Sequence, residues 1–177
     1  MNVLSICGSL REDSSTAKAL SIASESARLA GATVQVVTLG EMVLPFCDGR
    51  NDEQTYGEDV RGFIEMVQQA DGILMGSPNY HGSLTGVLKN ALDLLGPDAI
   101  RDKLVGLVAT ARGDAGAMNT LNHMRHVCRW MNGWVIPAEV SIPRAHEMLG
   151  AEVDPTLREQ LESLGREIVR YNGLLRP

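Results

Sequence analysis

Residues 3–7, Val-Leu-Ser-Ile-Cys, form a mainly apolar run without alternation, and it empties directly into Gly8-Ser9-Leu10-Arg11-Glu12-Asp13-Ser14-Ser15-Thr16. A strand of this kind is buried on both faces, so it belongs in a parallel sheet covered by helices above and below. A small-residue helical pattern begins near Ala17 and predicts a first helix over residues 15–29, ending near Gly31. A strand feeding a helix through Gly, Ser, Thr and one Arg is suited to holding a phosphate. The helix start offers unpaired backbone N–H groups and the positive end of its dipole. Ser9, Ser14, Ser15 and Thr16 add neutral hydroxyl donors, and Arg11 can grip two oxygens at once. Gly8 allows a sharp turn and a close approach of the backbone to a ligand. A simple βα turn capped by Ser or Thr uses the same residue types, yet four hydroxyls and a guanidinium exceed what a cap requires.

The same loop excludes several other sites. It contains no Gly-x-x-x-x-Gly-Lys-Ser/Thr, so it is not a triphosphate-binding loop. No Gly-x-Gly-x-x-Gly follows the first strand, which removes the dinucleotide fingerprint. Cys7 and Arg11 stand too close in sequence for a thiolate and an arginine to enclose a substrate phosphate. The ligand that remains is a mononucleotide held without a metal.

Strand-like and helix-like segments then alternate, with no linker, repeat or low-complexity stretch between them. Further strands are predicted at residues 33–39, 72–76, 104–111 and 134–142, the last interrupted at Pro137 and stopped by Pro143. Helices are predicted at 57–70, 84–95 and 117–131. In the first of these, Val60, Phe63, Ile64 and Val67 recur at i, i+3, i+4 and i+7. Asp154-Pro155 opens the last helix with a capping side chain and a proline at its first position. Leu157, Leu161, Leu164, Ile168 and Tyr171 supply its apolar stripe. Residues 40–56, with Pro45, Gly49, Asn51 and Asp52, read as an irregular flap or partner contact.

Five strands and five helices in alternation predict one α/β domain over residues 1–177. Its doubly wound, five-stranded parallel sheet has the order 2-1-3-4-5, with helices on both faces. Right-handed crossovers put the loops after strands one and three on either side of the switch point, with the loop after strand four beside them. Residues 8–16, 77–83 and 110–116 therefore meet at the carboxyl edge, and they are the loops richest in Gly, Ser and Thr.

Composition narrows the partners. A net charge of −6 offers no electrostatic case for nucleic acid or an anionic membrane, and no apolar run is long enough to span a bilayer. Cys7, Cys47 and Cys128 are odd in number and widely spaced, which fits neither a disulfide scaffold nor a zinc cluster. The first residues enter a strand without a basic and apolar leader, so a reducing cytoplasm is the expectation.

The second loop, Ser77-Pro78-Asn79-Tyr80-His81-Gly82-Ser83, has the parts needed to face a flat heteroaromatic ring. Pro78 sets one φ, Gly82 permits close approach, and Asn79, Tyr80 and His81 can add edge or stacking contacts. For His81 a solvent-facing loop position is an equal alternative. Nothing pairs it with a nucleophile. The third loop, Thr110-Ala111-Arg112-Gly113-Asp114-Ala115-Gly116, can close the far side of the ring, with room left by Gly113 and Gly116. Arg112 either meets a second anion or forms a surface ion pair with Asp114. His123 and His126 are one helical turn apart, but they lack the carboxylate or cysteine partners of a metal site.

Gly8-Ser9-Leu10-Arg11 with Ser14, joined to the block from Pro78-Asn79-Tyr80-His81-Gly82-Ser83 through Leu88-Lys89-Asn90-Ala91-Leu92-Asp93, resembles the NAD(P)H-dependent FMN reductases. That family includes quinone, azo-dye and chromate reductases of the flavodoxin-like fold. The resemblance implies that Ser9, Arg11, Ser14, Ser15 and Thr16 bind the FMN phosphate. It implies that Pro78, Asn79, Tyr80, His81, Gly82 and Ser83 hold the isoalloxazine ring. Thr110, Ala111, Arg112, Gly113 and Gly116 would lie alongside it. NADPH or NADH would be the co-substrate and a free flavin, a quinone or another small oxidant the acceptor, with no catalytic side chain and no metal. Lys89, Asn90 and Asp93 recur in the family motif, and a structural role for them is expected. The family forms dimers and tetramers, and the surplus of apolar residues on the third and fourth helices agrees with a homodimer or homotetramer. Two other readings are a flavodoxin-type electron carrier, whose phosphate loop lacks the arginine, and a flavin- or quinone-sensing module.

Overall fold

A computed structural model describes residues 1–50 and 55–175. Its elements are β1 (Asn2–Cys7), α1 (Ser15–Leu29), β2 (Thr33–Thr38), α2 (Glu58–Gln69), β3 (Gly72–Pro78), α3 (Gly86–Asp93), β4 (Leu104–Thr110), α4 (Met118–Trp130), β5 (Trp134–Ile142), α5 (Ala145–Met148) and α6 (Pro155–Leu175). All neighbouring strands are parallel, in the order β2-β1-β3-β4-β5. The predicted sheet and strand order are therefore those of the molecule. The short helix α5 is an addition that the sequence did not signal, because four residues are too few to show a helical period.

The central strands are apolar on both faces because each face meets a helical layer. Leu4 and Ile6 of β1 join the core under α2, α3 and α4, while Val3 and Cys7 join the core under α1, α5 and α6. Pro137 sits on the edge strand β5, where a missing N–H removes no interior ladder bond, and the register with β4 shifts between Val105 and Leu107. Helix α6 lies so close on α1 that a Cβ on Gly165 would clash with the Ala23 carbonyl oxygen. Asp154 caps α6, its carboxylate accepting from the Leu157 N–H at 2.9 Å.

The apolar surplus expected on α3 and α4 is largely taken up by the core: Leu88, Ala91, Leu92, Leu121, Met124 and Cys128 are all buried. Met118 and Trp130 of α4 remain exposed. Within the irregular 40–56 segment, residues 51–54, with Asn51 and Asp52, lie outside the described residues. Its middle is tied down by Asn90, which accepts from the Cys47 N–H and donates to the Pro45 carbonyl, both at 2.9 Å. Lys89 and Asp93 form an ion pair one turn apart at 2.6 Å. Asn90 and the Asp93 carbonyl, which accepts from the Cys47 thiol, brace α3 against the preceding segment, while the Lys89–Asp93 pair stays within the helix.

Candidate functional site

The loops after β1, β3 and β4 meet at the carboxyl edge of the sheet and line a cleft of about 550 Å³. That volume lies within the range of roughly 300–1,000 Å³ usual for small-ligand sites. Ser9, Arg11, Ser14, Ser15, Thr16, Pro78, Asn79, Tyr80, Thr110, Ala111 and Arg112 all line it. His81, Gly82, Ser83, Gly113 and Gly116 do not border it.

In the first loop, Ser14 is the N-cap of α1, its hydroxyl accepting from the Ala17 N–H at 3.1 Å while its carbonyl accepts from Lys18. The N–H groups of Ser15 and Thr16, the first two helical residues, have no acceptor within the helix. Ser9 is buried, and its hydroxyl oxygen accepts from the Arg11 N–H at 3.3 Å, so its own hydrogen is available to donate. The Arg11 side chain is exposed, and among the described residues its guanidinium has neither carboxylate nor hydrogen-bond partner. Below this rim, burial pushes the Cys7 thiol up, opposed by contacts with the Ser9 backbone and the Ser14 hydroxyl. Cys7 is buried in the core beneath the loop and does not border the cleft. Gly8 serves packing more than turning: a Cβ there would meet Leu88 Cβ at 2.9 Å, and its N–H bonds the Gly76 carbonyl at 2.8 Å.

The second loop is a tight hairpin. Tyr80 and Ser83 exchange backbone bonds at 3.0 and 3.1 Å around His81 and Gly82, both with positive φ (53° and 83°). A two-residue turn of this hand favours glycine at the second position, so Gly82 answers a backbone demand of the turn. The Asn79 side chain is engaged at both ends: its oxygen accepts from the Gly82 N–H at 2.8 Å and its nitrogen donates to the Gly116 carbonyl at 3.2 Å. Asn79 borders the cleft while bracing the second loop against the third. His81 stands exposed on the turn, and Ser83 meets His123 Nδ1 at 2.9 Å. Beneath them, Ser77 accepts from the Thr85 N–H, and the Thr85 hydroxyl donates to the Gly8 carbonyl at 2.7 Å.

The first and third loops are joined by one side-chain bond, Thr16 Oγ1 to Thr110 Oγ1 at 2.8 Å, with both residues buried. The third loop is further pinned by Ala111 N–H to Ile142, Ala145 N–H to Ala111 and Arg144 N–H to Gly113. Asp114 does not pair with Arg112; it lies 3.5 Å from Arg144 Nε. Helix α5 closes this wall with Ala145 and His146, followed by Leu149 at its C-cap, and Asp13 and Lys18, paired at 3.1 Å, complete the rim. No sequence pattern announces the α5 wall, since it depends on where the chain turns after Pro143. Among the described residues no group of three or more His, Cys, Asp or Glu side chains can hold a metal. No described helix is long and apolar enough to cross a membrane.

One end of the cleft therefore offers neutral hydroxyls, free N–H groups and an open guanidinium, a donor set for a phosphate without a metal. The remainder mixes apolar surface from Pro78, Tyr80, Ala111 and Leu149 with backbone polar groups, which suits a flat heteroaromatic ring. The donor set and the wall fit a flavin mononucleotide.

Comparison with known proteins agrees. The profile of the NADPH-dependent FMN reductase family matches residues 1–147. An NAD(P)H-dependent FAD/FMN reductase of Geobacillus thermodenitrificans is 33% identical over 144 residues, covering 81% of this chain and 77% of the relative. An FMN-dependent NADPH-azoreductase of Staphylococcus aureus is 30% identical over 144 residues, covering 80% and 76%. In fold, the chain resembles the apo form of an NADH:FMN oxidoreductase with a TM-score of 0.80 at 21% identity, over 96% of this chain and 89% of that one.

Proposed function

The chain belongs to the NADPH-dependent FMN reductase family, and from that premise we propose that its cleft holds FMN with the phosphate at the start of α1 and the ring between the second and third loops. The protein is an FMN-dependent oxidoreductase that oxidises NAD(P)H. When bound, FMN would supply the two-electron redox chemistry that links oxidation of the nicotinamide to reduction of an oxidant. Everything else falls to the chain. Ser9, Ser15 and the N–H groups of Ser15 and Thr16 donate to phosphate oxygens, and Arg11 neutralises their charge. Ser14 holds the first turn of α1 in register for this. Pro78 and Tyr80 on one side and Thr110 and Ala111 on the other exclude water from the ring. The Asn79 bond to Gly116 ties the second loop to the third, and the Thr16–Thr110 bond ties the third to the start of α1.

The observation that carries this assignment is the open Arg11 guanidinium beside a capped helix start, in a cleft otherwise furnished with neutral donors. The electron acceptor in this reading is a free flavin, a quinone or another small oxidant, and exposed Arg11 and Tyr80 in the cleft lining leave it accessible to such a molecule. We read the chain as one FMN-binding domain and assign it to the cytoplasm on the strength of three free thiols. A homodimer or homotetramer is supported by exposed Met118 and Trp130 on α4. The test is spectroscopic. Protein reconstituted with FMN should retain the yellow absorbance through gel filtration and lose it on anaerobic addition of NADPH or NADH. Absorbance should return when a quinone or free flavin is added. Protein that keeps no flavin, or whose flavin bands survive both nicotinamides, would refute the proposal.

A further inference from the structure

We propose that Arg112 recognises the ribose 2′-phosphate of NADPH, giving the cleft a second anion subsite apart from the one at the start of α1. The inference rests on the reading of the cleft given above. Three arginines are open to this role from the sequence: Arg50, Arg101 and Arg112. The structure separates them. Arg50 is engaged by Asp48 and lies over the Tyr56 ring at 4.8 Å, and Arg101 pairs with Asp98 at 2.5 Å. Neither borders the cleft. Arg112 does, and among the described residues its guanidinium has no carboxylate or hydrogen-bond partner.

The acids that could neutralise it are drawn elsewhere. Asp114 lies 3.5 Å from Arg144 Nε, and Glu147 faces Arg144 at 3.8 Å and His146 at 3.5 Å. Arg144 reaches them from a left-handed backbone (φ 40°, ψ 45°) that residues with a Cβ seldom adopt. That turn is held by the Arg144 N–H to Gly113 bond at 3.2 Å and the Ala145 N–H to Ala111 bond at 2.9 Å. These two bonds bracket Arg112, so its backbone is fixed while its charge stays open. The loops bearing Arg11 and Arg112 leave β1 and β4, which flank β3. With about 4.8 Å between neighbouring strands, the two loops start about 10 Å apart, on opposite sides of β3. NADPH and NADH differ only in that one phosphate, and a planar guanidinium binds it through paired N–H donors. An unpaired guanidinium bordering the cleft therefore supplies the one contact that tells the two coenzymes apart.

The experiment uses FMN-loaded protein and two redox-inert probes, 2′,5′-ADP and 5′-AMP, titrated calorimetrically. Wild type should bind 2′,5′-ADP about tenfold or more tighter than 5′-AMP, the range expected of one charged hydrogen-bonding contact. Arg112→Gln should erase that difference and Arg112→Lys should keep part of it. In steady state, Arg112→Gln should lower the NADPH-to-NADH ratio of kcat/KM by about 10- to 100-fold. Equal binding of the two probes by wild type would overturn the inference. So would an unchanged ratio in Arg112→Gln, or loss of FMN from that variant, which would assign Arg112 to the flavin instead. Wild type that oxidises neither nicotinamide would fail the function proposed above, while the probe titration would still decide the 2′-phosphate subsite.

Discussion

The single bond between Thr16 and Thr110 makes a sharp test of how the cleft is built. Their hydroxyls meet at 2.8 Å, and the residues are 1% and 4% exposed. Thr16 stands in the first turn of α1 and Thr110 ends β4, so this contact ties the first loop to the third across 94 residues of chain. Replacing either by Val leaves the other hydroxyl buried and unpaired, at a cost of about 1–3 kcal/mol. Replacing both by Val removes donor and acceptor together, which is nearly neutral when shape is kept. In a chain of this size 1 kcal/mol moves Tm by about 2–4 °C, so each single variant should melt about 2–12 °C below wild type. The double variant Thr16→Val/Thr110→Val should melt closer to wild type than either single one. Circular dichroism melts of the four proteins, with urea titrations to obtain free energies, measure the coupling directly. If the double variant loses the sum of the two single losses, the hydroxyls are not each other's partners and the tie between the third loop and the start of α1 fails.

Two further outcomes are expected. Arg11→Ala should weaken FMN binding by about 10- to 100-fold without lowering Tm, because Arg11 is exposed and supports no other residue. Fluorescence titration of apoprotein with FMN measures this, and an unchanged Kd would remove Arg11 from the phosphate site. Burial pushes the Cys128 thiol from 9.0 to about 12, so the folded protein holds that proton more tightly than the unfolded chain. Stability from this thiol is complete below pH 9 and is lost as pH rises toward 12. Thermal melts across that window should fall less steeply for Cys128→Ala than for wild type; parallel curves would dismiss the thiol as the cause.

Strand order, helix positions and the convergence of three loops were legible in the sequence because they follow from short-range signals and a small set of topological rules. The uniformly apolar residues 3–7 require cover on both faces, and alternation with helical periods leaves few ways to wind a parallel sheet. Asp154-Pro155 announces a helix start through chemistry confined to three neighbouring residues. The reach of each side chain was a different matter. Asn79 is bound to Gly82 and Gly116, Ser83 meets His123, and Asp114 turns from Arg112 to Arg144. Each of these pairings except Asn79 with Gly82 joins residues separated by many turns of chain, so only the packed molecule could decide among several partners equally available in composition. Helix α5 belongs with them: its wall beside the cleft depends on a left-handed residue at 144, whose conformation is stabilised by backbone bonds to another loop. Local chemistry determined what the chain would build, and distances between remote segments decided which groups were left open to a ligand.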